Sequence, residues 1–232
     1  MEVIILAGGL GTRLQGVIGA YPKCMAPVNG MPFLAYLFRY VAQQGCVRVI
    51  LSLGYKHEVI TEWLATQELP FVVDYVIEKE PLGTGGGILL AAHQAAADNV
   101  VVLNGDTLFV TDLKAQMNAH LAHHAAVTLG LKNMKDFDRY GVVKTNEQGV
   151  ITSFEEKQYR DEGTINAGCY IINTHALLTH HLPVKCSFEK DYLEHYTHEG
   201  KFYGHVSDAY FLDIGIPTDY EQAQHDFKTL LS

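Results

Sequence analysis

The sequence has few cysteines, few basic residues and no long apolar run, and each shortage excludes a class of protein. Its four cysteines (Cys24, Cys46, Cys169 and Cys186) show no Cys-x-x-Cys spacing, which argues against a zinc ribbon or a disulfide framework. The chain has 17 Lys and Arg against 26 Asp and Glu, a formal net charge of −9, and no basic run. This balance argues against nucleic-acid partners and against an anionic membrane surface.

No apolar stretch approaches the roughly 18–20 residues that are needed to span a bilayer. Residues 1–9 lack the basic start and long apolar segment of a secretory signal. We therefore expect a cytoplasmic protein with no membrane partner. The chain of 232 residues is 48% hydrophobic and 19% charged, which is ordinary for a packed globular protein.

Strand-like and helix-like segments alternate through the first half of the chain. Strands are predicted over 3–7, 47–53, 71–77 and 100–103, and helices over 33–44, 58–66 and 84–97. This alternation predicts an α/β protein with a parallel sheet covered on both faces. Later, the pattern predicts strands over 125–131, 141–145, 150–155 and 167–173, a hairpin turn at 146–149, and helices over 188–195 and 220–230. No linker interrupts the chain, so we expect one domain over 1–232.

Three histidines lie close together on another predicted helix. His120 and His124 have the i, i+4 spacing that can hold a metal ion. No acidic or sulfur partner is placed near them, so a solvated helix face is the favoured interpretation.

A glycine-rich turn follows the first strand. Gly8, Gly9 and Gly11 let the backbone approach a ligand and turn N–H groups towards phosphate oxygens. The turn matches neither a Rossmann fingerprint, since Leu14 replaces the third glycine, nor a P-loop. Arg13 follows it, and a guanidinium there can bind phosphate through two parallel hydrogen bonds.

A second glycine-rich segment follows the third strand and begins a helix, with Thr84 as the expected N-cap. Gly85, Gly86 and Gly87 weaken that helix by about 1 kcal/mol each relative to alanine. Their presence indicates that a ligand or another backbone segment lies close to them.

Two aspartates follow apolar segments far apart in the chain. Asp106 follows the strand over 100–103, and Asp213 follows Phe211 and Leu212. Ligands of open parallel sheets bind at the carboxyl ends of the strands. If the two carboxylates meet there, they form a Mg²⁺ site.

Taken together, these segments resemble the sugar-1-phosphate nucleotidylyltransferases over essentially the whole chain. The matching segments are Leu6 to Leu14, Pro22-Lys23, Leu82-Gly83-Thr84, Gly105-Asp106, Tyr140 to Val143, Phe154 to Lys157, Asn166-Ala167-Gly168 and Asp213-Ile214-Gly215. The stretches 25–30, 187–191 and 213–217 look most like the bacterial members that use GTP and D-glycero-α-D-manno-heptose 1-phosphate.

The resemblance implies a three-layer Rossmann-like nucleotidyltransferase fold with a mainly parallel mixed central sheet. It divides the domain into a nucleotide-binding part of about 1–110 and a sugar-phosphate-binding part of about 111–232. It also implies transfer of GMP from GTP to the sugar 1-phosphate, release of pyrophosphate, and a nucleotide-activated sugar for bacterial surface glycans. The expected assembly is a monomer or homodimer.

The resemblance also assigns roles to residues. Arg13, Lys23 and Asp106 are the expected catalytic residues, and Asp106 and Asp213 the ligands of Mg²⁺. The expected nucleotide-binding residues are Leu6, Ala7, Gly8, Gly9, Gly11, Thr12, Arg13, Lys23, Glu78, Gly83 and Thr84. The expected sugar-phosphate-binding residues are Asn104, Tyr140, Gly141, Glu156, Lys157, Asn166 and Ala167. From the sequence alone, a charged strand end is the favoured interpretation of residues 155–157.

The family's second loop places Glu78 where the base edge is read. An ionised carboxylate only accepts hydrogen bonds, and guanine presents two adjacent donors, N1–H and the 2-amino group. We therefore expect GTP to be preferred, with Glu80 as the rival reader of the base. Two related activities stay open at this point: a mannose-1-phosphate guanylyltransferase, and a uridylyl- or thymidylyltransferase that acts on a glucose or amino-sugar 1-phosphate.

Two alternatives come from other classes of protein. A glycosyltransferase commonly carries an Asp-x-Asp metal pair, whereas Thr107 and Leu108 follow Asp106 here. A sensor without catalytic activity is expected to lack a cation or a metal aspartate, whereas Arg13, Lys23, Asp106 and Asp213 are all present. Release of pyrophosphate from a triphosphate and a sugar phosphate discriminates both from a nucleotidyltransferase.

Overall fold

The computed structural model describes residues 1–9, 14–19 and 21–230, and all statements below concern these residues. The strands are β1 (Glu2–Ala7), β2 (Pro27–Val28), β3 (Met31–Pro32), β4 (Arg48–Leu53), β5 (Val72–Ile77), β6 (Asn99–Asn104), β7 (Thr107–Phe109), β8 (Val127–Phe137), β9 (Val142–Thr145), β10 (Ile151–Glu155), β11 (Arg160–Asn173), β12 (Phe202–Val206) and β13 (Phe211–Asp213). The helices are α1 (Gln15–Ile18), α2 (Phe33–Gln43), α3 (His57–Leu64), α4 (Gly83–Ala92), α5 (Leu113–Ala122), α6 (Thr174–Thr179) and α7 (Pro217–Asp226), and Phe188–Glu194 forms a π-helix.

A nine-stranded sheet runs through the molecule. Strands β6, β1, β4 and β5 are neighbours in that order and are parallel. The long strand β11 joins this parallel part antiparallel to β6, and it also pairs with β8 and β9. The predicted α/β fold with a mainly parallel mixed sheet is therefore confirmed.

Alternating side chains of the central strands pack into two separate cores, one on each face of the sheet. In β1, Val3 and Ile5 join the core under α2, α3, α5 and α7, whereas Ile4 joins the core under α4, α6 and the π-helix. This alternation follows from the two-residue period of a strand. It produces the three layers that the resemblance implied.

The strand predictions of the first half agree closely with the structure, but several other predictions were wrong. Helix α4 ends at Ala92 rather than continuing to residue 97. Strands β8 and β11 extend well beyond the predicted ranges, and β7, β12 and β13 were not predicted. The hairpin turn between β9 and β10 is confirmed, with Gly149 at φ +79° and the Asn146 N–H donating to the Val150 carbonyl.

The histidine prediction was wrong for His120, which is buried rather than solvated. Its Nδ1 lies 2.9 Å from Thr128 Oγ1, and its Nε2 lies 3.0 Å from Asn99 Oδ1. Burial lowers the pKa of His120 to about 4. In the described part of the chain, no group of three or more His, Cys, Asp or Glu side chains has the placement of a metal cluster.

The cysteines and the helices relate to the predictions on disulfides and on membrane spans. All four cysteines are buried free thiols. Among the described residues, no helix has the length and apolar character that crossing a membrane requires.

Candidate active site

One large cleft, with a volume of about 930 Å³, lies at the carboxyl ends of the parallel strands. The register places Leu6 of β1 beside Asn104 of β6, and Leu53 of β4 beside Ile77 of β5. The residues that follow these strands therefore emerge along one edge, as open α/β sheets require.

The structure brings the described predicted site residues together in this cleft. Its lining includes Leu6, Ala7, Gly8, Gly9, Lys23, Glu78, Gly83, Thr84, Asn104, Asp106, Tyr140, Gly141, Glu156, Lys157, Asn166, Ala167 and Asp213. The predicted residues Gly11, Thr12 and Arg13 lie outside the described residues. The position of the others is thus known, whereas their individual roles stay predictions.

Lys23 lies between the two aspartates. Its Nζ is 2.5 Å from Asp106 Oδ2 and 3.5 Å from Asp213 Oδ1. The aspartates meet because Thr107 of β7 pairs with Asp213 of β13 in a short antiparallel sheet. The Ile214 N–H also donates to the Asp106 carbonyl, which holds the two loops together.

The Asp213 carboxylate is partly buried and carries a fixed hydrogen bond from the Gly215 N–H, at 2.7 Å. Burial and the neighbouring Asp106 raise the pKa of Asp213, and Lys23 opposes this rise. Two carboxylates and a cation thus share one small region. Hard oxygen donors of this kind suit Mg²⁺, which one or two carboxylates hold together with substrate phosphates. The side chains present therefore fit a divalent metal ion.

Glu78 is held in place at the carboxyl end of β5. Its Oε1 accepts a hydrogen bond from Ser52 Oγ at 3.1 Å, and its Oε2 accepts one from the Leu82 N–H at 3.0 Å. The carboxylate packs against Gly8, where an added Cβ would lie 2.5 Å from Oε1. Glu80, the rival in the sequence prediction, is exposed and does not line the cleft, whereas Glu78 does.

The glycines at the start of α4 lie against another backbone segment. A Cβ on Gly83, where φ is +76°, would lie 2.5 Å from the Cys186 carbonyl oxygen, and one on Gly86 would collide with the Val184 carbonyl. The Gly85 N–H donates to that same Cys186 carbonyl at 3.0 Å. Close backbone contact, one of the two explanations that the sequence allowed, is observed for Gly85 and Gly86, whereas a Cβ on Gly87 would face Glu78 Oε1 and Ser52 Oγ, each at 3.1 Å.

The predicted N-cap at Thr84 was wrong. The helix begins at Gly83, its N-cap is Leu82, and no side chain caps it. The Thr84 hydroxyl instead accepts a hydrogen bond from the Phe188 N–H at 2.9 Å and donates one to Glu189 at 2.7 Å. Thr84 thus bonds to Phe188 and Glu189, which pack on α4, instead of capping the helix. The local sequence could not reveal these distant partners.

Strands β9, β10 and β11 form the side of the cleft that the resemblance assigns to the sugar phosphate. The register of β11 shifts between Asn166 and Tyr170, and this bulge turns Asn166 and Ala167 towards the cleft. Glu155 pairs with Arg160 at 2.6 Å and lies 3.9 Å from Lys144. Glu156 and Lys157, the next two residues, are exposed at the rim of the cleft.

Several lining side chains were not among the predicted site residues, and Arg139, Tyr170 and Glu189 are three of them. Arg139 donates to Asp219 and to the Tyr140 hydroxyl, with its guanidinium carbon 5.3 Å from the centre of the Tyr140 ring. Tyr170 and Glu189 line the cleft between α4 and β11. Arg139 directly precedes the Tyr140-Gly141 motif, and Glu189 lies in the 187–191 stretch. Their proximity to these motifs was the feature of the sequence that could have identified them as cleft residues.

Comparison with known proteins identifies the family. The Nucleotidyl transferase family profile matches residues 2–229. The chain belongs to the nucleotidyl transferase family. It is therefore a nucleotidyltransferase, which excludes the glycosyltransferase alternative.

Individual relatives cover almost the whole chain. A D-glycero-alpha-D-manno-heptose 1-phosphate guanylyltransferase from Aneurinibacillus thermoaerophilus is 49% identical over 98% of this chain and 99% of its own length. One from Campylobacter jejuni is 44% identical, over 95% of this chain and 97% of its own. The crystal structure of HddC from Yersinia pseudotuberculosis complexed with GMP-PN is 39% identical, with a TM-score of 0.88, over 97% of this chain and 99% of that one.

Proposed function

We propose that this enzyme transfers GMP from GTP to D-glycero-α-D-manno-heptose 1-phosphate and releases pyrophosphate. The observation that carries the proposal is the cluster of Lys23, Asp106 and Asp213 in the cleft that also holds Glu78 and Lys157. The names of the relatives and the nucleotide complex of HddC support the choice of base and sugar. The product is a nucleotide-activated heptose, which suits the synthesis of surface glycans.

In this reaction an oxygen of the sugar phosphate attacks the α-phosphorus of GTP. A new P–O bond forms, the bond to the β-phosphate oxygen breaks, and the electron pair leaves with pyrophosphate. Such transfers depend on positioning and charge neutralisation rather than on acid–base chemistry. The roles below follow from this requirement.

Lys23 supplies positive charge to the α-phosphate as charge builds up in the transition state. Asp106 and Asp213 would hold Mg²⁺, which supplies charge neutralisation and orients the phosphates when it is bound. Arg13, outside the described residues, is assigned to the departing pyrophosphate. Each of these groups acts by its charge, so no nucleophilic side chain is required.

The ends of the two substrates are assigned to opposite sides of the cleft. The Glu78 carboxylate accepts hydrogen bonds from guanine N1–H and the 2-amino group, while each oxygen keeps its present partner on its other lone pair. Lys157 binds the sugar phosphate, and Glu156 accepts hydrogen bonds from sugar hydroxyls. Asn104, Tyr140 and Asn166 complete the sugar pocket.

A panel of sugar 1-phosphates tests the sugar assignment. With GTP and Mg²⁺, we expect heptose 1-phosphate to give the highest kcat/KM for pyrophosphate release, and mass spectrometry to detect the GDP-heptose product. One additional carbon is worth about 1–3 kcal/mol in a pocket, so mannose 1-phosphate should react about 10-fold to 100-fold less efficiently. Equal or greater efficiency with mannose or glucose 1-phosphate would contradict the assignment.

A further inference from the structure

Glu189 is a cleft residue to which the proposed mechanism gives no part. It lies in the first turn of the π-helix that packs against α4. Its carboxylate accepts three hydrogen bonds, from Thr84 Oγ1 at 2.7 Å and Ser187 Oγ at 2.9 Å on Oε2, and from the Tyr170 hydroxyl at 3.5 Å on Oε1. One side chain thus contacts groups from both sides of the cleft.

The Thr84 contact connects Glu189 to the nucleotide loop. The Thr84 hydroxyl accepts from the Phe188 N–H, so its single hydrogen is directed to the Glu189 carboxylate. A hydrogen bond to a charged acceptor is stronger than a neutral one. Glu189 therefore adds a side-chain contact to residues 82–84, which backbone hydrogen bonds with Cys186 also hold.

The Tyr170 contact connects Glu189 to the sugar pocket. Tyr170 is 1% exposed, and its oxygen accepts a hydrogen bond from Asn166 Nδ2 at 2.9 Å. A buried hydroxyl requires an acceptor for its own hydrogen, and Glu189 is that acceptor among the described residues. The Asn166 amide is also fixed at its other end, because Asn166 Oδ1 accepts from the Gly168 N–H at 3.0 Å.

We propose that Glu189 is a positioning residue that holds the nucleotide loop and the sugar pocket in register through Thr84 on one side and Tyr170 with Asn166 on the other. The inference rests on the proposed function for the naming of the two substrates. In this proposal Glu189 contacts neither substrate, and it affects the KM for each substrate through the residues that it positions. The Thr84 and Ser187 hydroxyls share Oε2, which a carboxamide oxygen can replace, whereas the Tyr170 hydroxyl donates to Oε1, which a carboxamide replaces with an NH2 donor.

This arrangement predicts a specific pattern of kinetic effects. Tyr170→Phe should raise the KM for the sugar 1-phosphate several-fold and leave that for the triphosphate unchanged. Thr84→Val should do the reverse. Glu189→Gln should raise mainly the KM for the sugar 1-phosphate, because the carboxamide oxygen can still accept from Thr84 whereas its NH2 group cannot accept from Tyr170. Glu189→Ala removes both contacts and should raise both KM values, by about tenfold each, since a lost hydrogen bond to a charged group is worth about one order of magnitude or more.

Asp191→Ala is the matched control on the same π-helix. Asp191 is exposed, does not line the cleft, and accepts a hydrogen bond from the Ser187 N–H at 2.7 Å. Its replacement should lower Tm because it removes a contact that stabilises the start of the helix, while both KM values stay unchanged. The control therefore separates loss of helix stability from loss of positioning.

The experiment measures both KM values, kcat and Tm for the wild type and these variants, with the triphosphate and sugar 1-phosphate that the wild type uses best. In the Glu189→Ala background, Tyr170→Phe and Thr84→Val should each have less than half of their single-variant effect on log KM, because the shared contact is already lost. Fully additive effects, or unchanged KM values in Glu189→Ala, would overturn the positioning role. So would Asp191→Ala if it reproduced the changes in KM.

The two proposals fail in different ways. A wild type that prefers another base or sugar contradicts the proposed function, and the Glu189 test then proceeds with that preferred pair. A wild type that uses GTP and heptose 1-phosphate, with unchanged KM values in the Glu189 variants, contradicts only the positioning role.

Discussion

On the nucleotide side of the cleft, Glu78 and Asp106 each have a partner within the protein, whereas Glu156 and Lys157 on the sugar side are exposed and have none among the described residues. The Glu78 and Asp106 side chains are therefore fixed before a ligand binds. On the sugar side, ordering a long side chain costs about 0.5–1.5 kcal/mol on binding. We therefore expect substitutions on the nucleotide side to change turnover and choice of base, and substitutions on the sugar rim to change affinity.

The largest effect is expected at Asp106. Asp106→Asn should lower kcat for pyrophosphate release by about 100-fold to 1,000-fold, because charge stabilisation of the reacting phosphates is lost. Tm should change by only a few degrees, since the side chain is partly exposed and its contact with Lys23 lies at the cleft surface. Asp208→Asn, at an exposed position away from the cleft, is the matched control. Near-normal turnover in Asp106→Asn, or in excess chelator, would remove Asp106 from the metal site.

The next largest effect is expected at Glu78. Two hydrogen bonds to a carboxylate are worth a preference for GTP on the order of 100-fold. Glu78→Gln should reduce this preference at least tenfold and favour UTP or dTTP, since the amide offers one donor and one acceptor to the single N3–H and its carbonyl neighbours. Glu80→Gln, at an exposed position outside the cleft, should retain the wild-type preference. If only the Glu80 variant changes the preference, the roles are reversed.

A smaller effect, confined to one substrate, is expected at the sugar rim. Lys157→Ala should raise the KM for the sugar 1-phosphate about tenfold, because an exposed lysine contributes one charge-assisted contact to the phosphate. The KM for GTP should stay within about twofold of the wild type. Lys144→Ala, on the neighbouring strand β9 and outside the cleft, controls for loss of surface charge. Equal changes in both KM values would show that the two sides of the cleft are not separate.

The smallest effect on activity is expected at His120, which lies outside the cleft. Its pKa is about 4 in the folded protein and about 6.5 in the unfolded chain, so between these values the unfolded chain binds the additional proton. The free energy of unfolding should therefore decrease by about 3 kcal/mol from this group as the pH falls from about 6.5 to about 4. Urea denaturation at several pH values should show a weaker pH dependence in His120→Asn, whereas the exposed control His175→Asn should retain it. An unchanged slope in His120→Asn would assign the pH dependence to other groups.

The central strands and the residues at their ends were predictable from the sequence. Val3–Ala7 and Val100–Leu103 are apolar runs that are long enough for a buried strand and are followed directly by glycine or a polar residue. The topology of an open sheet then places their ends together. For this reason the strand pattern, together with the topology of an open sheet, was sufficient to place Leu6, Glu78 and Asp106 in one cleft.

Features that depend on distant contacts were not predictable in this way. The three-residue strands β7 and β13 are too short to show a period, and they exist because they pair with each other. The Thr84 hydroxyl bonds to residues more than 100 positions away instead of capping α4, and the Gly85 and Gly86 N–H groups donate to the Cys186 carbonyl. His120 is buried because Thr128 and Asn99 supply its partners. In each case the deciding interaction is absent from the local sequence.

The most direct test of the account is the specificity of the wild type for the four triphosphates GTP, UTP, dTTP and ATP. Pyrophosphate release is measured for each at saturating heptose 1-phosphate and Mg²⁺, and kcat/KM values are compared. The account predicts that GTP exceeds each of the others by on the order of 100-fold, because the Glu78 carboxylate pairs with two donors of guanine. A higher kcat/KM for UTP or dTTP than for GTP would contradict the guanylyl assignment.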